Sequence, residues 1–185
     1  MGWNEQFGKH ANGGLFMGLR VYLRRTSNSK EGQYNFVEVI QWTRKSFNEL
    51  TNEELYNVLR LRQEVFVVEQ NCPYLDNDGL DLACEHIIGM MDGIIVLYAR
   101  IIPKGLDYED SWSIGRVLTR FEYRGRGLGM DLIQHCLESI GNDKVTIHAQ
   151  SYLEAFYNKF GFESIGEEYD LDGIPHKEMR RLKSN

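Results

Sequence analysis

Proline is scarce in this chain of 185 residues, with three, and cysteine is equally so. Cys72, Cys84 and Cys136 form an odd set without paired spacing, which excludes a disulfide framework and fits a reducing, cytoplasmic compartment. Cys72, Cys84 and His86 also lack the paired-ligand spacing of a metal site, so no metal is expected. No segment reaches the roughly 18 consecutive apolar residues of a membrane span. Leu15–Leu19 is too short for the apolar core of a signal peptide. Met1-Gly2 lacks the Ser or Thr at position 6 that N-terminal lipidation requires; Gln6 stands there. Positive charge is not in excess either, since 21 Lys/Arg face 27 Asp/Glu for a net charge of −6. That argues against nucleic acid as a partner, because phosphate binding needs a cationic face. Neither membrane nor nucleic acid is expected as a partner.

What is present is ordinary globular composition, 42% hydrophobic and 26% charged, in a length that suits one domain with an appendage. The first 39 residues read differently from the rest. They hold Gly13-Gly14 and the polar run Arg24–Gln33. Up to Ile40 there are five Lys/Arg against three Asp/Glu, and beyond it sixteen against twenty-four. Residues 1–39 are read as a partly disordered extension in which Leu19–Leu23 adds a strand, and residues 40–185 as the domain proper.

From Val37 the patterning tightens. Val37–Ser46 reads as a strand. Thr51 with Glu54 is a capping box, and Leu55, Leu59, Gln63 and Phe66 follow at helical spacing as one face. Asn71-Cys72-Pro73 ends that element, and the acidic run Asp76–Asp81 reads as a loop. Two strand-like runs, Glu85–Met91 and Gly93–Ile102, meet at the hairpin dipeptide Asp92-Gly93. A third strand spans Trp112–Leu118. A helix follows over Leu128–Ile140, then a strand over Val145–Ala149, a helix over Ser151–Phe160, and a last strand pair around Asp172-Gly173. Antiparallel hairpins followed by strand–helix–strand predict a mixed α+β fold.

Between the third strand and the Leu128 helix lies Tyr123-Arg124-Gly125-Arg126-Gly127-Leu128-Gly129. Alternating glycines let backbone amides approach a ligand and permit positive φ. A helix N-terminus adds unpaired N–H groups and partial positive charge, and Arg124 and Arg126 add cationic donors. These are the requirements of a pyrophosphate. A dinucleotide-binding G-x-G-x-x-G is excluded because the third glycine comes one residue early and follows antiparallel hairpins. A P-loop is excluded because no Gly-Lys-Ser/Thr follows. Arg-x-x-Gly-x-Gly remains, with a plain glycine turn capping a helix as the bland alternative.

Ser113–Thr119 followed by Tyr123–Gly129 resembles the signature of the GNAT superfamily of N-acetyltransferases. Ala155–Phe162 is similar to its second signature, a helix ending in Tyr-x-x-x-Gly-Phe. Leu61–Tyr74, Ala149–Leu153 and Asp172–His176 narrow the resemblance to the ElaA-like branch. It covers the chain from about Ile40 to the end. The resemblance implies a twisted mixed sheet, mostly antiparallel and flanked by helices, with two central parallel strands splayed around an acyl thioester. It implies acetyl-CoA as co-substrate, with Arg124–Gly129 on the pyrophosphate and backbone groups of Val117, Leu118 and Thr119 on the pantetheine arm. One of those amides would polarise the thioester carbonyl. Many relatives carry asparagine where this chain has Gln150, another expected contact to that arm.

For chemistry, the resemblance makes Tyr157 the general acid on the departing thiolate, against a core tyrosine with a satisfied hydroxyl. Glu69 follows the apolar run Val67-Val68, where burial would fit it to take a proton from an amine; a structural hydrogen bond before Pro73 is the other reading. His148 sits in a strand expected to line the cleft, and His86 and His176 lie on other strands; a structural role stands beside a basic one for each. Arg62 and Arg100 are arginines inside apolar elements, which need a substrate carboxylate or an internal acid. The activity implied is transfer of an acetyl group to a primary amine, on a small molecule or a peptide. The alternative is a non-catalytic acyl-CoA-binding module. Monomer and homodimer both stay open.

Overall fold

The structure is a computed structural model that describes residues 5–8, 16–25 and 34–183. Two antiparallel sheets organise it. The first has the strand order β1 (Glu5–Gly8), β2 (Phe16–Arg25), β3 (Tyr34–Ser46), β4 (Glu85–Met91), β5 (Ile94–Ile102), β6 (Ser113–Thr119). The second runs β7 (Val145–Gln150), β9 (Ile174–Arg181), β8 (Glu163–Leu171). Leu19–Leu23, expected to add a strand, lies within β2 and pairs with β3. The partial disorder expected of residues 1–39 falls in part on positions outside the described residues.

Local chemistry accounts for most boundaries. Asp92 and Gly93 both take positive φ, 50° and 77°, and Asp172 and Gly173 do the same at 54° and 81°. That is the double left-handed geometry whose twist matches a tight hairpin, so the strand pairs β4–β5 and β8–β9 close where those dipeptides stand. Thr51 caps α1 (Asn52–Arg62): its hydroxyl accepts from the Glu54 amide at 3.1 Å, and the Glu54 carboxylate accepts from the Thr51 amide at 2.8 Å. Helix α2 covers Leu128–Ile140, as expected, and buries Leu132, Ile133 and Cys136 in the main core with Ile87, Val96, Ile147 and Phe162. The expected helix over Ser151–Phe160 is instead a single 3₁₀ turn followed by the short α3 (Glu154–Asn158).

The face expected on α1 is corrected. Gln63 is exposed and Leu55, Leu59 and Phe66 are half-buried, while Val58, Leu61, Arg62 and Val65 are buried. After Arg62 the helix widens: the amides of Gln70 and Cys72 bond back five residues, to Val65 at 3.3 Å and Val67 at 3.1 Å. Val58, Leu61, Arg62 and Val65 stand at i, i+3, i+4 and i+7, so the buried stripe keeps a regular helical period and is centred beside the expected residues, which flank it.

The two sheets touch as parallel strands at one point. Trp112 bridges to Val145: its amide donates to the Lys144 carbonyl at 3.1 Å, and its carbonyl accepts from the Thr146 amide at 2.9 Å. Beyond that vertex β6 pairs with β5 and β7 pairs with β9, so the parallel neighbours diverge into a wedge. The expected splay of Trp112–Thr119 from Val145–Ala149 is observed.

Candidate active site

A cleft of about 760 Å³ fills the wedge. Its β6 wall contains a bulge. Tyr98 pairs with Leu118 and Arg100 with Gly115, so Arg116 and Val117 together oppose Ala99. Arg116 takes φ 53°, a left-handed conformation uncommon outside glycine. A bulge removes backbone groups from the ladder and turns them aside, here beside the cleft that Gly115–Thr119 line.

At one end of the wedge stands the glycine loop. Gly125 and Gly127 need positive φ, 73° and 83°, and a Cβ on either would meet nothing within 4 Å, so open space surrounds both. Gly127 caps α2 without a side chain to offer, which leaves first-turn amides of the helix for another acceptor. Gly129 lines the cleft beside Thr119 and Phe156. Leu128 differs from its neighbours: its side chain is core, so only its backbone belongs to the loop surface. Arg124 lies over the Phe121 ring at 5.5 Å and Arg126 over Tyr123 at 5.0 Å.

Tyr157 lines the cleft from α3, buried between Phe156 and Phe162. Burial pushes its phenol well above the usual range, so it keeps its proton at neutral pH. Glu69 also lines the cleft, but the burial expected of it is not observed: it is exposed and paired with Arg124. Gln150 lines the same wall, donating to Gln70 Oε1 at 3.2 Å and accepting from the Tyr152 hydroxyl at 2.7 Å.

The arginines resolve into a network that the sequence left as an acidic loop. Arg62 is fully buried and does not line the cleft; it donates to Asp76 and Asp81 at 2.7 and 2.8 Å. Its partners are internal because the Asp76–Asp81 segment folds back over α1. Arg100, which reaches the cleft, binds Asp78 and Asp81, and Arg116 binds Asp76 and Asp78. Three arginines thus meet three aspartates and none of the three guanidiniums lacks a carboxylate. The available signal was an acidic run set against two arginines in apolar elements, Arg62 and Arg100; nothing in the sequence pointed to Arg116. His86 is buried away from the cleft, bonded to the Tyr98 hydroxyl at 2.7 Å and the Asp81 carbonyl at 3.1 Å. Burial lowers its pKa and keeps it neutral.

His148 lines the opposite end of the cleft from β7. Its Nε2 bonds the Tyr108 hydroxyl at 2.9 Å, its Nδ1 bonds the Tyr169 hydroxyl, and Tyr108 stacks on the ring. Tyr108 and Tyr169 were missed in the sequence because one lies in the turn-rich stretch after β5 and the other on β8. His176 lines the cleft too, with Nδ1 donating to the Ile174 carbonyl at 2.7 Å. Among the described residues no cluster of His, Cys, Asp and Glu is arranged to hold a metal ion. No helix among them is long and apolar enough to cross a membrane.

A wedge between parallel strands, entered from a glycine loop at a helix N-terminus, defines a class of protein. Residues 80–183 match the model of the acetyltransferase (GNAT) domain, and the chain belongs to the GNAT acetyltransferase family. Within it the chain is 43% identical over 149 residues to protein ElaA of Escherichia coli, covering 77% of this chain and 97% of that one. It is 41% identical over 145 residues to a UPF0039 protein of Synechocystis, covering 76% and 94%. Among solved structures it is similar to an acyl-CoA N-acyltransferase from Pseudomonas aeruginosa, with TM-score 0.73 and 41% identity over 77% of this chain and 99% of that one. The E. coli ElaA crystal structure gives TM-score 0.70 at 40% identity, with the same coverage.

Proposed function

We propose that the domain over residues 40–185 is an N-acyltransferase that moves an acetyl group from acetyl-CoA to a primary amine, by direct attack within a ternary complex. The observation that carries the reading is the wedge itself. The bulged backbone of Arg116 and Val117, the buried phenol of Tyr157 and the two ends of the glycine loop, Arg124 and Gly129, line one continuous cleft. The loop suits a pyrophosphate, because the space around Gly125 and Gly127 that a Cβ would enter is open and the helix amides behind it are uncapped. Acetyl-CoA supplies an acyl group activated as a thioester.

The residues of this chain do the rest. Backbone groups of Val117, Leu118 and Thr119 hold the pantetheine arm by strand-like pairing, and one amide of the bulge polarises the carbonyl. The amine nitrogen bonds to the carbonyl carbon as the carbon–sulfur bond breaks. Glu69, or water it positions, accepts the amine proton, and Tyr157 gives its proton to the leaving sulfur. Thiols are fair leaving groups, with an ordinary pKa of about 8.5, so the tyrosine's aid is moderate. His148 and the Tyr108 hydroxyl stand at the acceptor end, and Arg100 supports that wall from below. The chain works in the cytoplasm, either as a monomer or as a homodimer.

The test is calorimetry with coenzyme A together with a thiol-release assay over a panel of small amines and peptide N-termini, on the same sample. Binding with amine-dependent thiol release is expected. Binding without release from any acceptor would support an acyl-CoA-binding module instead.

A further inference from the structure

Glu69 ends the widened turn after α1, and Arg124 opens the glycine loop. Their side chains form a two-pronged ion pair, Nη1 to Oε1 at 2.5 Å and Nη2 to Oε2 at 2.9 Å. Arg124 Nε donates at 2.9 Å to the Thr119 carbonyl, which fixes the fork at the mouth of the cleft. Both oxygens of Glu69 are therefore occupied. In that state the carboxylate oxygens face the guanidinium and not an incoming amine. The guanidinium fork fits a phosphate as well as it fits a carboxylate, and a pyrophosphate brings more negative charge to the same place. The pair is also easily exchanged: its side chains are 36% and 37% exposed, and ion pairs at that exposure are weak.

We propose that Arg124 has two partners in succession, Glu69 in the free chain and the pyrophosphate in the loaded chain, so that arrival of acyl-CoA uncovers the carboxylate that takes the amine proton. This rests on the acyl-CoA reading above. It makes Arg124 a positioning residue for the base as well as a cofactor contact, and it imposes an order. An amine that enters first meets a masked base, whereas an amine that enters after acyl-CoA meets a free one.

Removing the competitor should help the cofactor bind. In the full chain, Glu69→Gln keeps the shape of the side chain and removes its charge at an exposed position. Titration calorimetry with coenzyme A should show Kd tightened about two- to fivefold, the range such pairs support. Pantetheine, which carries no pyrophosphate, should bind both forms equally. In an Arg124→Gln background the Glu69→Gln change should no longer alter coenzyme A affinity. An affinity of Glu69→Gln equal to or weaker than that of the unaltered chain would overturn the inference, as would a tightening that persists without Arg124. Coenzyme A binding without that tightening sinks the inference alone, and no binding by the unaltered chain sinks the acyl-CoA reading with it.

Discussion

Arg62 and Arg100, one from α1 and one from β5, converge on a single atom, Oδ1 of Asp81, which lies 2.8 Å from each guanidinium. Helix and sheet are joined there by charge in a dry setting, with Arg62 and Arg100 both 1% exposed as side chains. Removing the Asp81 charge takes one of two carboxylates from each arginine, leaving Asp76 on Arg62 and Asp78 on Arg100. Asp81→Asn should therefore destabilise the fold by about 1–3 kcal/mol. Urea unfolding measures this, and a loss below about 0.5 kcal/mol would mean that Asp76 and Asp78 alone satisfy the two arginines.

The same network gives the chain an acid limit. Burial alone would raise the carboxyls of Asp78 and Asp81, but hydrogen bonds and charge from Arg100, with Arg62 for Asp81, outweigh it. Both are held below the usual range, Asp78 at about 2. In the unfolded chain an aspartate titrates near 3.9, so between those values the unfolded state binds more protons. The stabilisation is present above about pH 4 and is lost as pH falls toward 2. Melting temperatures from pH 5 to pH 2 should show that decline, and Asp78→Asn should make it shallower.

Tyr157 keeps its proton because it is buried among apolar rings. Tyr157→Phe retains the ring packing and removes the proton to be donated. Turnover should fall about tenfold or more, with unchanged melting temperature and unchanged coenzyme A affinity. Undiminished thiol release would remove Tyr157 from the mechanism.

Gly127 holds φ 83° with open space where a Cβ would be. Gly127→Ala should cost about 1–2 kcal/mol for the left-handed backbone, a modest drop in melting temperature. The added methyl group would enter the volume assigned to the pyrophosphate. Coenzyme A affinity should fall at least about tenfold, or about 1.4 kcal/mol. Unaltered affinity would place the pyrophosphate elsewhere.

Both nitrogens of His148 are engaged by tyrosine hydroxyls, so its ring is held in place at the end of the cleft proposed for the acceptor. Tyr108→Phe removes one restraint far from the glycine loop. It should raise KM for the amine and leave coenzyme A binding unchanged; weaker coenzyme A binding would contradict the division of the cleft into two ends.

Features set by neighbouring residues were legible in the sequence. Asp92-Gly93, Asp172-Gly173, the Thr51–Glu54 box and the glycine loop each carry their instruction within a few positions, and the strands and helices fall about where those residues put them. Features set by pairing across the chain were not. Nothing in Arg116-Val117 announces a bulge, because a bulge belongs to two strands and their register. The buried face of α1 is centred on Val58, Leu61, Arg62 and Val65 rather than on the flanking residues expected, and Glu69, at the end of the widened turn, lies at the surface rather than the interior. Arg62 and Asp76 are 14 residues apart and Arg116 and Asp76 are 40, so the loop that joins them looks merely acidic until it folds.

The vertex at Trp112 and Val145 has a consequence for solubility. A strand with unpaired backbone groups invites another chain to pair with it, and proteins that expose such edges risk association. Past the vertex, the sides of β6 and β7 left open by the splay face each other across the cleft. The opening that admits a substrate therefore also hides two adhesive edges from other molecules, and a chain that occupied the gap with a strand-like ligand would be sealed there.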